Sequence, residues 1–293
     1  MERTNHPDDN RSPVELTEGR TRLRRFRFPV LFASLFVVML AVVGIDTLVA
    51  PLPLLALPVG LGLAVAGVIC YLRLTRFVEV RDDVPELAPE KRWSGLGRGL
   101  LLGFGLFCAV LLLVLVFGGF DDVSWGSFAG FLGIAGMMSS VAVMEEVLFR
   151  GVLFRILEER TGTVISLVVS SLLFGATHLV NVNATPWGAM AIALTGGTML
   201  AAAYTATRSL WFPIGLHFAW NFTHAGVFGI AVSGSEDVPN GLLRTTLSGA
   251  SVVTGGSFGP EASLMALLVC LVPTTVLLRR AARNGLIRPR PRG

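Results

Sequence analysis

Hydrophobic positions in this chain occur in long blocks, which are separated by short polar or Gly/Pro-containing segments. A membrane-spanning helix needs about 20 mainly apolar residues in succession, and eight blocks are of about that length. The first covers about 28–50, and the second follows three prolines and ends near 72. The others cover about 99–117, 126–160, 164–180, 187–206, 211–232 and 262–278. The pattern predicts an all-α fold, a polytopic transmembrane helical bundle of about eight spans.

The polar segments divide the chain. Residues 1–22 contain Pro7 and Pro13 without apolar periodicity, which predicts a disordered cytoplasmic tail. A membrane domain is expected over 23–283, with its core over about 126–280, and a basic tail over 284–293. Three connections are expected to be loops: a charged one over 73–98, a short one with Asp121 and Asp122, and a long Gly/Ser/Thr-rich one that ends at Glu261.

The fourth block is too long for a simple span. A helix from about Gly126 to Arg160 measures roughly 50 Å at the usual rise, against a hydrocarbon core of about 30 Å. Its C-terminal end is therefore expected to project from the membrane. Arg155, Glu158 and Glu159 fit a water-exposed end.

Composition supports a multi-pass integral membrane protein. Hydrophobic residues make up 53% and charged residues 15% of the chain, and the mean hydropathy is +0.68, outside the range of soluble domains. The net charge of +4 comes from cations at the ends of apolar blocks, where they meet lipid headgroups, so no nucleic-acid partner is expected. The spacing of Cys70, Cys108 and Cys270 fits neither a disulfide framework nor a cysteine-based zinc site.

The cations also predict an orientation. With eight spans, 23 of the 24 Lys and Arg residues fall on the side that holds both termini, and Arg244 alone falls on the other. Because positively charged loops remain in the cytoplasm, both termini are expected there, most plausibly at the cell membrane.

Two acids and an arginine lie inside the fourth block, where ionised groups are costly and often mark function. Glu146 and Arg150 are four residues apart, the acid first, which favours an ion pair on a helix. Glu145 points about 100° away from that pair. The sequence thus predicts that Glu146 and Arg150 hold the helix in place while Glu145 faces another group. The alternative is a buried structural pair with a spare acid.

Further polar groups lie in the fifth and seventh blocks. His217 and Asn221 share a helix face, whereas His224 lies about 10 Å further along and is interpreted as structural. Glu145 lies 16 residues before Thr161 and His178 lies 17 after it, so a helical hairpin sets them at one depth. A carboxylate, two imidazoles and an amide are therefore expected to converge in a pocket that opens toward the cytoplasm.

This set allows two hydrolytic chemistries. In one, Glu145, His178 and His217 hold a divalent metal, most plausibly zinc, which activates water. In the other, Glu145 is the general base and His217 with Asn221 donates hydrogen bonds to the oxyanion. The metal-free chemistry is slightly preferred because Asn221 is an unusual zinc ligand.

Three motifs in this order resemble the CPBP family of intramembrane proteases, which includes CAAX prenyl endopeptidases and bacteriocin-processing and self-immunity proteins. The motifs are Glu145-Glu146-x-x-x-Arg150, Phe174-x-x-x-His178 and His217-x-x-x-Asn221. The resemblance implies an intramembrane endopeptidase acting on a peptide or membrane-associated protein, with a metal requirement unsettled for the family. It also implies that Glu145, His178, His217 and Asn221 are catalytic and that Glu146 and Arg150 support them. The alternative is a non-catalytic immunity protein or transporter subunit that uses the polar cluster structurally.

Overall fold

A computed structural model describes residues 24–235 and 240–291. The predicted tail at 1–22 lies outside these residues. The helices are α1 Arg27–Val49, α2 Pro53–Glu79, α3 Arg92–Val116, α4 Phe128–Glu146, α5 Arg155–Thr161, α6 Thr163–Thr177, α7 Pro186–Ile192, α8 Thr198–Thr207, α9 Trp211–Phe222, α10 Ser251–Thr254 and α11 Leu264–Arg283. Stretches of π-helix continue α4 into α5 (Val147–Phe154), α7 into α8 (Ala193–Gly197) and α9 further along (Thr223–Val227).

The predicted helical membrane bundle is confirmed. Seven helices in the described part of the chain are long and apolar enough to cross a membrane. The seventh predicted span, over 211–232, ends earlier, at Val227, and the chain turns at Gly229, whose φ is +64°. Ten of the twelve residues of α9 are buried. This helix therefore lies in the centre of the bundle, surrounded by the others.

The charged connection is shorter than the sequence predicts. Helix α2 continues to Glu79 and α3 begins at Arg92, so much of the predicted 73–98 loop is helical. Two short 3-10 turns, Pro85–Leu87 and Pro89–Lys91, fill the remainder. Glu79 tolerates its buried position because Arg81 and Arg155 contact its carboxylate at 2.9 and 3.0 Å.

Two segments expected to be loops form strands. β1 Phe120–Trp125 pairs antiparallel with β2 Leu243–Leu247, with an irregularity between Phe120 and Asp122. The side chains of Asp121 and Asp122 are exposed, while their backbones belong to the ribbon. Pairing satisfies peptide groups that would otherwise lie unbonded close to the apolar bundle. The ribbon closes the end of the bundle at which α3 ends and α4 begins.

Small residues allow the central helices to touch backbone to backbone. A Cβ atom added at Gly60 of α2 would lie 2.2 Å from the carbonyl carbon of Gly136 in α4, and one at Gly99 of α3 would lie 2.4 Å from the Phe212 oxygen in α9. Such close contacts are typical of membrane helices, where tight packing replaces the hydrophobic driving force. They fix α2 against α4 and α3 against α9, and so fix the two helices that carry most of the polar motif residues.

The opposite end of the bundle is held by ion pairs. The long helix from Phe128 to Thr161 is continuous, as predicted, but its C-terminal charges are not all exposed to water. Arg155 and Glu158 are buried, Arg155 against Glu79 and Glu158 against Arg208, whose Nη2 lies 3.0 Å from Glu158 Oε1. Burial is possible here because each charge has an opposite partner.

The orientation can be tested with single cysteines at exposed positions. Asp83→Cys and Asn284→Cys lie at the ion-paired end and Asn240→Cys at the ribbon end. If the cation-rich end is cytoplasmic, an impermeant thiol reagent applied to intact cells should label only Asn240→Cys, and all three should be labelled in opened membranes. Labelling of Asp83→Cys but not Asn240→Cys would reverse the orientation.

Candidate active site

Two of the three motifs adjoin a stretch of π-helix. Glu145 and Glu146 end the α-helical part of α4, Arg150 lies within Val147–Phe154, and the stretch Thr223–Val227 follows the helix of His217 and Asn221. The third stretch, Ala193–Gly197, provides a carbonyl oxygen to the site. π-Helix is rare and is frequently found at functional sites because its wider turn re-aims side chains. The sequence pattern indicates only regular helix here.

Glu146 is the centre of the polar cluster. Its side chain is 0% exposed, and Oε1 accepts from Arg150 Nη1 at 2.8 Å and from His217 Nδ1 at 2.9 Å. Arg150 also donates to the Gly197 carbonyl at 3.1 Å. The four-residue spacing thus produces the expected ion pair, but Glu146 has a second contact, to an imidazole, which the sequence does not predict.

His217 lies between the two acids. While Nδ1 contacts Glu146, Nε2 lies 3.7 Å from Glu145 Oε2. The side chain of Glu145 is 22% exposed, yet its Oε2 is buried and accepts no hydrogen bond from the described residues. Because an ionised carboxylate only accepts, Glu146 fixes the hydrogen on Nδ1 and directs Nε2 toward Glu145. Oε2 of Glu146 likewise accepts no hydrogen bond from the described residues. The two acids differ in that Glu146 is fully buried and bound through Oε1 to Arg150 and His217, whereas Glu145 is partly exposed.

His178 is fixed by its own helix. It lies where α6 passes into the 3-10 turn His178–Val180, and Nδ1 is 2.9 Å from the Phe174 carbonyl oxygen. When Nδ1–H donates to that oxygen, Nε2 is left available as an acceptor. The ring of Phe174 contacts three members of the cluster: its centroid lies 5.2 Å from that of His178, 5.9 Å from that of His217 and 4.5 Å from Arg150 Cζ.

A small cavity joins these groups. It measures about 20 Å³, which is room for about one water molecule. His178, His217 and Asn221 line it together with Ser233 and Glu261, whereas Glu145 lies beside His217 outside the lining. Ser233 and Glu261 belong to the ribbon end of the bundle, so the cavity lies against this end. The sequence predicts instead that the pocket opens toward the opposite end, which is rich in cations.

Two further buried residues, His224 and Glu261, lie close to the cluster. His224 is 0% exposed and stacks on Phe107 at 4.4 Å, outside the cavity lining, in agreement with its interpretation as structural. Sequence reasoning missed Glu261 altogether. Its only signal is a single acid in the segment Gly259-Pro260-Glu261-Ala262, directly before an apolar block.

The described side chains do not fit a resident metal ion. No three His, Cys, Asp or Glu side chains in the described ranges lie close enough together to hold one. Glu145 and His217 form a close pair, but His178 completes no three-ligand group with them. Catalytic zinc sites typically have three protein ligands, one more than the close pair of Glu145 and His217 supplies.

Comparison with known proteins identifies the segment that contains the site. Residues 105–223 match the family described as type II CAAX prenyl endopeptidase Rce1-like. This segment is Rce1-like. The match includes all three motifs, and it confirms the resemblance to CAAX proteases stated from them. Neither the curated proteins nor the solved structures contain a match to this chain.

The matched segment, residues 105–223, is similar to CAAX-type proteases. It begins within α3 and ends directly after α9, so it contains the helices that pack around Glu146. The seven apolar helices of the described residues indicate a multi-pass integral membrane protein.

The pair of Glu146 and Arg150 should behave as one unit. Removing one partner of a buried ion pair typically costs about 3 to 5 kcal/mol, because the remaining charge has no partner. Glu146→Ala and Arg150→Ala should each lower the melting temperature of the detergent-purified protein markedly. Glu146→Ala with Arg150→Ala should cost less than the two single losses added together.

Two exposed residues of opposite charge provide the control for this cycle. Glu90 lies in the turn Pro89–Lys91 and Arg92 begins α3, and both are exposed, so Glu90→Ala and Arg92→Ala should change the melting temperature little, singly or together. Strict additivity for Glu146 and Arg150 would contradict the pairing.

Proposed function

We propose that the protein is an intramembrane endopeptidase that hydrolyses a peptide bond of a peptide or membrane-associated protein near the cytoplasmic face. The observation that carries the proposal is the chain of contacts Arg150–Glu146–His217–Glu145 beside a cavity with room for about one water molecule. Hydrolysis needs a base, a water and a group that stabilises the oxyanion, and this arrangement supplies candidates for all three.

Glu145 is proposed as the general base. Its Oε2 has no hydrogen-bond partner among the described residues and lies on the Nε2 side of His217. A carboxylate with a free oxygen can take a proton from water as the oxygen of that water attacks the carbonyl carbon. The neighbouring Glu146 is already engaged by Arg150 and His217, which makes it a poor base.

His217 and Asn221 are proposed to stabilise the oxyanion. When both ring nitrogens of His217 carry hydrogen, Nδ1–H donates to Glu146 and Nε2–H is free to donate to a developing negative charge. Asn221 lies one helical turn further along and lines the same cavity. Donors held in place by a helix need no rearrangement during the reaction, which is what makes such groups effective.

His178 is proposed to act on the water or the leaving group from the opposite side of the cavity. The bond from Nδ1 to the Phe174 carbonyl fixes its ring, and Nε2 remains free for a proton. Glu146, Arg150 and Phe174 are proposed to support this arrangement without touching substrate. The cation-rich end, with both termini, is proposed to face the cytoplasm.

The substrate can be sought directly. We expect peptides accumulated at the membrane of cells that carry Glu145→Ala to include uncleaved substrates, absent from cells with the parent protein. Paired synthetic peptides, with and without a farnesylated cysteine near the C terminus, then show whether the enzyme requires the lipid.

Glu145→Gln should abolish turnover. The amide has nearly the same shape as the carboxylate but is a far poorer base, and a general base typically contributes about 10² to 10⁴ in rate. Cleavage of a quenched fluorogenic peptide by purified protein should fall by at least that lower factor, while the melting temperature and peptide binding stay close to those of the parent.

Glu90→Gln, at an exposed acid in the ion-paired end, makes the same chemical change and should leave the rate unaltered. The assignment of the acids is reversed if Glu145→Gln retains full activity while Glu146→Gln, in a well-folded protein, has none. A protein in which every variant binds but none cleaves would fit a non-catalytic role.

Removal of metal ions should leave the activity intact. Since the described side chains form no three-ligand group, exhaustive treatment with a chelator should reduce peptide cleavage less than about twofold, well below the loss expected for a missing general base. Elemental analysis of the purified protein provides the second measurement. Stoichiometric zinc, with activity lost on its removal and restored on its return, would replace the metal-free mechanism and leave endoproteolysis in place.

A further inference from the structure

Glu261 is an acid that the mechanism does not use. It lies in the 3-10 turn Pro260–Ala262 before α11, and it is 3% exposed. Both carboxylate oxygens are engaged: Oε1 accepts from Trp220 Nε1 at 2.7 Å, and Oε2 accepts from the backbone N–H and the hydroxyl of Ser233, each at 2.7 Å. The fold thus supplies this buried carboxylate with three donors, because burying it without them would be very costly.

The hydrogen bond from Trp220 to Glu261 connects this acid to the helix segment of Asn221. Trp220 directly precedes Asn221 on α9, and His217 lies one helical turn earlier on the same helix. Trp220 also packs edge to face against Phe107 at 5.2 Å. The indole is therefore held at its ring and at its N–H, and this fixes the rotation of the helix segment that presents the proposed oxyanion donors.

The hydrogen bonds from Ser233 connect Glu261 to the segment of His178. The carbonyl of Ser233 accepts from Asn181 Nδ2 at 2.7 Å, and the backbone N–H of Asn181 donates to the His178 carbonyl at 3.2 Å. Ser233 has φ +53°, an unfavourable conformation for a residue with a side chain. Such strain persists where surrounding bonds over-determine it, and here these are the bonds to Glu261 and Asn181.

The contacts of Glu261 favour its ionised form. Burial raises the pKa of Glu261, but the neighbouring His224 imidazole and the hydrogen bonds from Trp220 and Ser233 outweigh it, so its pKa lies below the ordinary value. His224 Nδ1 is 3.8 Å from Oε2. A negative charge strengthens the hydrogen bonds that it accepts, so the anion holds both contacts more firmly than a neutral group would.

We propose that Glu261 is a positioning residue that holds Asn221 and His178 in register across the cavity, through Trp220 on one side and through Ser233 and Asn181 on the other. These four residues, Glu261, Trp220, Ser233 and Asn181, form the Glu261 clamp. Its role in cleavage rests on the proposed function, whereas its geometry does not. An acid outside the three motifs would thus be needed for full activity.

The clamp predicts a specific kinetic pattern for Glu261→Gln. An amide cannot accept at both positions, so the contact to Trp220 or to Ser233 is lost. For a quenched fluorogenic peptide that ends in a farnesylated CAAX sequence, kcat should fall about 10- to 100-fold with KM little changed, because misplacement of catalytic groups by about 1 Å has effects of that size. Glu261→Asp retains the charge and should recover part of the loss, and Glu90→Gln should behave as the parent.

A double-mutant cycle separates positioning from general stability. If Glu261 acts through Asn221, Glu261→Gln should reduce kcat less than about threefold in a protein that already carries Asn221→Ala. A loss of the same size in both backgrounds would show that Glu261 supports the fold without positioning Asn221. Unchanged kcat in the single variant would also overturn the proposal.

The geometry of the clamp can be measured without activity. The protein has five tryptophans, and Trp220→Phe identifies the Trp220 indole N–H signal in a ¹⁵N-labelled sample. Glu261→Gln should shift this signal and speed its hydrogen exchange, while Glu145→Gln should not. An unshifted signal overturns the clamp regardless of activity. If the signal shifts but the parent cleaves no peptide, the proposed function is wrong and the clamp remains as a structural link.

Discussion

The arrangement of this site depends on one buried carboxylate. Glu146 accepts from Arg150 and from His217 through a single oxygen, and it is wholly removed from water. A buried charge of this kind is tolerated only when it is paired and hydrogen-bonded. The same contacts join α4 to α9, and through Arg150 they reach the Gly197 carbonyl between α7 and α8. The requirement to neutralise one charge inside the bundle therefore brings three parts of the chain together.

The two adjacent acids differ because a helix turns by about 100° between neighbours. Glu146 is fully buried and bound to Arg150 and His217 through Oε1, whereas Glu145 lies partly exposed beside His217. In the proposed hydrolysis, this division separates the group that fixes the imidazole from the group that exchanges protons with water. The ring of Phe174 contacts Arg150 and both imidazoles, which adds an aromatic surface to the polar cluster.

The two ends of the bundle are held in different ways. At one end, Arg155, Glu79, Glu158 and Arg208 form buried ion pairs that tie α2, α5 and the end of α8 together. At the other end, a two-stranded ribbon and the Glu261 clamp enclose the helix ends. The site lies between these closures, and the ribbon end contributes Ser233 and Glu261 to the cavity. Contacts outside the three motifs therefore enclose the site at both ends.

The sequence by itself determined the helical membrane bundle, the candidate residues and the pairing of Glu146 with Arg150, because block length, block hydropathy and four-residue spacing are local properties. The Rce1-like match covers the same motifs. Local patterns did not predict the ribbon of β1 with β2, the early end of the seventh predicted span at Val227, the buried state of Arg155 and Glu158, or the bond from Glu146 to His217. Each of these depends on a partner distant in sequence, such as the 71 positions between Glu146 and His217. Glu261 shows the same limit, since a single acid before an apolar block has no meaning until the fold brings it to Trp220 and Ser233.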